Sequence, residues 1–186
     1  MCGRYIFYDD ECYVIQQLVE MASKKMSYDS FKKLSLYEVK PSNSALVAIY
    51  IPKENKIVYK SMIWGYPYKN KLIINARSET CFDSVFFQNS YQAIVIASSY
   101  IEWDTQHIPY KFTLEEKPIY LAALAKYINK ELHFVILTEE ATNDQASIHS
   151  RQPLLFTKEQ AKKWCTSSTP TSMFSYSLQD RIISRY

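Results

Sequence analysis

The chain has 186 residues, of which 47% are hydrophobic, and its 22 basic and 19 acidic residues give a net charge of +3. This length and apolar fraction are typical of one folded domain and exclude a chain that is disordered throughout. The only glycines are Gly3 and Gly65, which excludes the glycine-rich phosphate loops of nucleotide- and dinucleotide-binding proteins.

The first half of the chain predicts one helix followed by a hairpin and a short strand. Acidic residues 9–11 precede apolar residues at a helical spacing, and acidic side chains favour the positive end of a helix. Residues 45–52 and 56–65 predict two strands joined by a polar turn. Residues 72–75 predict another short strand. The apolar positions of the helix are Val14, Ile15, Leu18, Val19 and Ala22.

The second half is dominated by strands, predicted at residues 92–98, 110–114, 118–128 and 132–137. The last two are expected to pair antiparallel around a turn at Asn129-Lys130. These many short strands, together with two or three helices, indicate an α+β fold in one domain spanning residues 1–186.

A helix is predicted to begin at Thr157, because Gln160 lies three residues later in the pattern of a capping box. Ala161 and Trp164 should then face inward. The Ser/Thr-rich segment 167–177 predicts a loop, and the last nine residues are too short to assign.

The four cysteines, Cys2, Cys12, Cys81 and Cys165, form no CxxC pair and no metal-ligand spacing. This favours a reducing, cytoplasmic environment and argues against a disulfide scaffold or a zinc site. We expect no cofactor and no metal. No apolar run approaches the roughly 20 residues of a membrane helix, and the polar start of the chain predicts no signal peptide.

Cys2 is the sharpest chemical feature. Removal of Met1 would leave an N-terminal cysteine, whose α-amine and thiol together convert an aldehyde into a five-membered thiazolidine ring. The same thiol could instead attack a carbonyl as a hydrolase nucleophile. Taken alone, a terminal Cys without function is the simpler interpretation.

Further candidates lie at strand ends and in one loop. Glu102, between Ile101 and Trp103, suits acid/base chemistry if it is partly desolvated, but it could also point to water. His149 could move protons near neutral pH or be a surface loop residue. Asn75 offers a hydrogen-bond donor and an acceptor and Arg77 could bind a phosphate, or the two could form a turn with a salt bridge.

Aromatic residues make up 15% of the chain, so Trp64 and Trp103 could each stack on a nucleic-acid base. In a sequence this aromatic, however, core packing is the more common role for any one of them. The small basic excess permits nucleic-acid binding without requiring it.

Five short motifs occur in an order that resembles the SOS-response-associated peptidase family, whose members include abasic-site processing proteins that crosslink to DNA. The match covers residues 1 to about 156, and a helix and tail at 157–186 fit the family's ending. The chain differs from the family at Glu38, where Asn is common, and at Gln152, and it lacks the Pro and Gly that usually precede Glu102. The motifs are Met-Cys-Gly-Arg at positions 1–4, Trp64-Gly65-Tyr66, Asn75-Ala76-Arg77-Ser78-Glu79-Thr80, Glu102-Trp103 and His149-Ser150-Arg151-Gln152-Pro153.

The resemblance implies specific roles. Cys2 would trap the aldehyde of an abasic site in single-stranded DNA as a thiazolidine during the DNA damage response. Asn75 would position Cys2 and the sugar, Glu102 would act as acid and base near the α-amine, and His149 would assist sugar ring opening. The DNA-binding positions would be Arg4, Trp64, Arg77, Trp103, Thr138 and Arg151. The implied fold is a single compact α+β domain around a curved, barrel-like mixed β-sheet, flanked by a few helices.

Three functions therefore remain open. The main prediction is a cytoplasmic enzyme that crosslinks to abasic single-stranded DNA, acting as a monomer, with peptidase or lyase-type activity in addition. The second is a thiol peptidase or hydrolase that uses Cys2. The third is a single-stranded nucleic-acid-binding module without chemistry.

Overall fold

The structure, a computed structural model, describes residues 2–115, 117–167, 178 and 181–186. Within these residues three α-helices accompany fifteen short strands. The helices are α1 (Tyr13–Lys25), α2 (Tyr28–Lys32) and α3 (Lys158–Thr166). The strands are β1 (Arg4–Ile6), β2 (Glu38–Val39), β3 (Ser44–Ile51), β4 (Lys56–Trp64), β5 (Tyr66–Tyr68), β6 (Lys71–Ile73), β7 (Asn75–Arg77), β8 (Tyr91–Ala97), β9 (Ser99–Trp103), β10 (Pro109–Thr113), β11 (Ile119–Ile128), β12 (Glu131–Glu140), β13 (Arg151–Pro153), β14 (Leu155–Phe156) and β15 (Ile182–Arg185).

Five of these strands close a ring, in the order β12, β4, β3, β8, β11 and back to β12. All the pairings are antiparallel except β12–β4, which is parallel and joins only two residue pairs. The ring is therefore not evenly round, since β3 and β4 pair along eight residues. The predicted α+β fold with a curved, barrel-like mixed sheet is confirmed. Both predicted hairpins, β3–β4 and β11–β12, are part of this ring.

A second sheet, in the order β15, β10, β9, β1, β2, lies beside the ring and holds the N-terminal residues. Strand β1 pairs antiparallel with β9, Arg4 opposite Ile101 and Tyr5 opposite Tyr100. Because side chains alternate along a strand, Arg4 and Trp103 share one face of this sheet. Tyr5, Tyr100 and Glu102 share the other face.

Helix α1 confirms the predicted N-terminal helix and buries Ile15, Leu18 and Ala22. The predicted helix after residue 157 is also confirmed. It begins with the capping box of Thr157 and Gln160, and Trp164 is buried with its indole N–H donating to the Ala93 carbonyl at 2.9 Å. The predicted loop at 167–177 lies almost entirely outside the described residues. Among the helices the structure describes, none is long and apolar enough to cross a membrane.

Candidate functional site

Cys2 is fully buried and is held by a residue far along the chain. The side-chain amide of Asn75 donates a hydrogen bond to the Cys2 carbonyl at 2.9 Å. Asn75 begins β7, which pairs with β12 of the ring and places Asn75 opposite Ile136. The rigid ring therefore fixes the main chain of Cys2 through a single amide side chain.

Glu102 lies on β9 with only 3% of its surface exposed, and the Trp103 main-chain N–H donates to its Oε1 at 3.4 Å. Burial raises the pKa of the Cys2 thiol, and the negative charge of Glu102 raises it further. The thiol is therefore protonated at neutral pH and needs a base to become a nucleophile.

Two buried tyrosines extend this cluster on the same sheet face. Burial raises the pKa of both Tyr5 and Tyr100, with the nearby Cys2 contributing in each case, so both phenols stay neutral. The Tyr100 hydroxyl donates to Gln145 Oε1 at 2.5 Å. Among the described residues, the Tyr5 hydroxyl has no hydrogen-bond partner.

His149 follows a short 3₁₀ helix (Asn143–Ser147) and is half-buried. Its Nδ1 lies 2.9 Å from the Arg151 main-chain nitrogen and 3.2 Å from the Arg151 carbonyl oxygen, so Arg151 holds the ring in place. One path from His149 to the cysteine cluster runs through Gln145, whose carbonyl accepts the His149 main-chain N–H at 2.9 Å. The path continues through Tyr100 to the sheet that carries Glu102.

On the opposite face of the second sheet, Arg4 stacks its guanidinium 4.8 Å from the centre of the Trp103 ring. Arg4 also pairs with Glu38 at 2.8 Å, and Lys40 pairs with the other oxygen of Glu38 at 2.8 Å. The hydrogen bond from Lys40 and the charge of Arg4 hold the pKa of Glu38 below its usual range. Arg4, Lys40 and Trp103 thus form a cation–aromatic surface, in which both cations are paired with the carboxylate of Glu38.

A second arginine, Arg151, is also paired with a carboxylate. Arg151 donates to both oxygens of Glu79, at 2.7 and 2.8 Å, and to the Thr138 carbonyl at 2.6 Å. The Arg151 hydrogen bonds hold the pKa of Glu79 below its usual range. Arg77 is exposed and lies opposite Thr138 in the β7–β12 pairing. Strand pairing therefore brings Arg77, Glu79 and Arg151 to one region.

Trp64 and Thr138, which the resemblance places among the DNA-binding positions, are both fully buried in the structure. Trp64 packs between Tyr5 and Phe134, with ring centres 5.3 and 5.9 Å away, and its indole N–H donates to a carbonyl in the interior. Trp64 is part of the core, the other interpretation that the sequence left open for it.

Sequence reasoning missed Tyr5, Tyr100 and Gln145, which are all buried. A signal for Tyr100 was available, because a residue two positions before Glu102 on a strand must share its face. Gln145 carries no such signal, since its contact with Tyr100 spans 45 residues. Across the described residues, no group of His, Cys, Asp and Glu could hold a metal ion.

Comparisons with known proteins agree on one family. A model described as SOS response associated peptidase matches residues 1–182. The abasic site processing protein YedK of Escherichia coli (strain K12) is 26% identical over 178 residues, covering 88% of this chain and 79% of that protein. YoaM of Bacillus subtilis (strain 168), also named an abasic site processing protein, is 26% identical over 200 residues, covering 96% of this chain and 85% of that protein.

A solved structure shares the fold. A phage-related protein of Bordetella bronchiseptica superposes with a TM-score of 0.73 at 18% identity. The match covers 100% of this chain and 94% of that chain. At this level of identity the likeness supports the architecture alone.

Proposed function

The chain belongs to the SOS response associated peptidase family, and from this premise we propose that it binds single-stranded DNA and links covalently to abasic sites through Cys2. The carrying observation is the placement of Cys2, whose carbonyl is held by Asn75 and whose buried thiol lies under the charge of Glu102. The two curated relatives are named for abasic site processing, which supports the same substrate class. The proposed site of action is the cytoplasm, with residues 1–186 acting as one monomeric domain.

The proposed reaction begins once Met1 is removed. The α-amine of Cys2 adds to the aldehyde carbon of the ring-opened sugar, and loss of one water gives an imine. The sulfur then attacks the imine carbon and the thiol proton passes to nitrogen, which closes the thiazolidine ring. Glu102 would take and return the protons of these steps, and Asn75 would hold the cysteine in place. His149 would assist the opening of the sugar ring.

The DNA backbone would be bound by Arg4, Arg77 and Arg151, with Trp103 available for stacking at the Arg4 surface. Such binding should weaken with salt at a slope of about −0.7 per phosphate neutralised. Since Arg4 and Arg151 already pair with carboxylates, the phosphates must compete with Glu38 and Glu79.

The test is a denaturing gel of the Met1-free protein with single-stranded DNA that carries one abasic site. We expect a shifted band, with the adduct mass on Cys2, that is absent for intact DNA and for DNA whose abasic aldehyde has been reduced. A protein with a blocked N-terminus should form no band. If the processed protein also forms none, the hydrolase or the passive binding module becomes the better account.

Replacing Glu38 by Gln is expected to tighten noncovalent binding of single-stranded DNA by about three- to tenfold, or about 0.7–1.4 kcal/mol. The change removes a negative charge that pairs with Arg4 and Lys40 and repels phosphate. Fluorescence anisotropy measures the Kd. Glu20→Gln is the matched control, because Glu20 is a carboxylate paired with Lys24 on α1. Equal effects of the two changes would mean that only net charge matters.

A further inference from the structure

Gln145 is a buried residue that contacts two parts of the site with different atoms. It is 2% exposed, and its side-chain Oε1 accepts the Tyr100 hydroxyl at 2.5 Å. Its main-chain carbonyl accepts the N–H groups of Ile148 and His149, each at 2.9 Å. The side chain is therefore bound to the sheet, and the main chain holds the turn from which His149 projects.

The Tyr100 ring, whose hydroxyl is hydrogen-bonded to Gln145, is held firmly in the sheet. The ring is fully buried and stacks on Phe112, with centres 4.8 Å apart and planes 6° from parallel. It lies opposite Tyr5 in the β1–β9 pairing and shares a sheet face with Glu102. Burial keeps the phenol protonated and so able to donate. A hydroxyl fixed in this way defines where Gln145 can lie.

The buried amide nitrogen of Gln145 indicates that this side chain is not there mainly to stabilise the folded state. Among the described residues, its Nε2 is buried and has no hydrogen-bond partner. A buried donor without a partner costs free energy, and an apolar side chain of similar size would avoid that cost. The Gln145 side chain instead accepts one hydrogen bond, from the Tyr100 hydroxyl, and this bond joins the 3₁₀ helix to the sheet.

We propose that Tyr100 and Gln145 are a positioning pair that holds His149 in place relative to Cys2 and Glu102. The pair touches no reacting atom and acts through His149. This inference rests on the proposed function, because it concerns the rate of the reaction proposed for that site. It gives a role to two residues that are not among the predicted site residues.

The first test is the rate of adduct formation in a single turnover. Tyr100→Phe removes only the hydroxyl and keeps the ring, and we expect the rate constant to fall about tenfold while the Kd for DNA is unchanged. Tyr66→Phe is the control, because it removes a buried hydroxyl 3.2 Å from Ser90 and outside the site. Equal rates for Tyr100→Phe and the wild type would overturn the proposal.

A double-mutant comparison separates positioning from loss of stability. If Tyr100 acts through His149, Tyr100→Phe should cause no further loss of rate in a His149→Ala protein. Independent, multiplying losses would show that the pair does not act through His149, and would overturn the proposal.

A third measurement does not depend on the reaction. The chain has three histidines, so the imidazole ¹⁵N signals of His149 can be followed by NMR without DNA. We expect Tyr100→Phe to shift the His149 signals and to leave those of His107 and His133 unchanged. Unchanged His149 signals would overturn the proposal that Tyr100 and Gln145 position His149. A wild-type protein that forms no adduct would count against the proposed function and leave this result valid.

Discussion

A Cys2→Ala protein is expected to form no heat-stable adduct with abasic single-stranded DNA, while its noncovalent binding stays within about twofold of the wild type. Alanine removes the sulfur that closes the ring but keeps the main-chain carbonyl that Asn75 binds. Its α-amine can still form an imine, which reverses in water. We therefore expect a covalent band for this variant only when borohydride is added to reduce the imine.

The control for this change is Cys81→Ala, which removes another buried thiol of the chain. Its adduct should form as in the wild type and carry its mass on Cys2. Intact-mass measurement must first show that Met1 has been removed from each variant. A heat-stable adduct of the Cys2→Ala protein without borohydride would rule out the thiazolidine.

The second large effect is expected at Glu102. Glu102→Gln keeps the shape of the side chain and an oxygen that can accept the Trp103 N–H. It removes the group that would exchange protons with the amine and thiol of Cys2. General acid–base catalysis contributes about 10²- to 10⁴-fold, so the rate of adduct formation should fall by that range.

Single-turnover kinetics measures this loss, with the Kd for DNA determined alongside. Asp104→Asn is the matched control, because Asp104 lies just beyond the same strand and its carboxylate accepts two main-chain N–H groups of the following loop. The Asp104→Asn protein should keep the wild-type rate. A Glu102→Gln protein that reacts as fast as the wild type would remove Glu102 from the proposed mechanism.

The elements predicted correctly from sequence are those determined by neighbouring residues. The two hairpins follow from apolar strands separated by polar turns, and α3 follows from the capping box at Thr157. Long-range pairing was not predictable in this way. The parallel β12–β4 contact that closes the ring and the pairing of β15 with β10 both join distant parts of the chain.

The same distinction applies to the site. The resemblance identified Cys2, Asn75 and Glu102, and the structure brings these three together. It could not indicate which aromatic residues reach the surface, because exposure depends on the tertiary packing. Trp64 is therefore in the core, while Trp103 lies under the guanidinium of Arg4.

The burial of Cys2 has a consequence for the order of events during synthesis. The residue that holds Cys2 lies 73 positions later, and strand β9, which pairs with β1, comes later still. A nascent chain on the ribosome thus displays its first residues while their partners have not yet been made. The removal of Met1 that the proposed function requires can therefore take place in this interval, before β9 pairs with β1. Translation thus gives an aminopeptidase time to free the proposed nucleophile before the fold that would use it has formed.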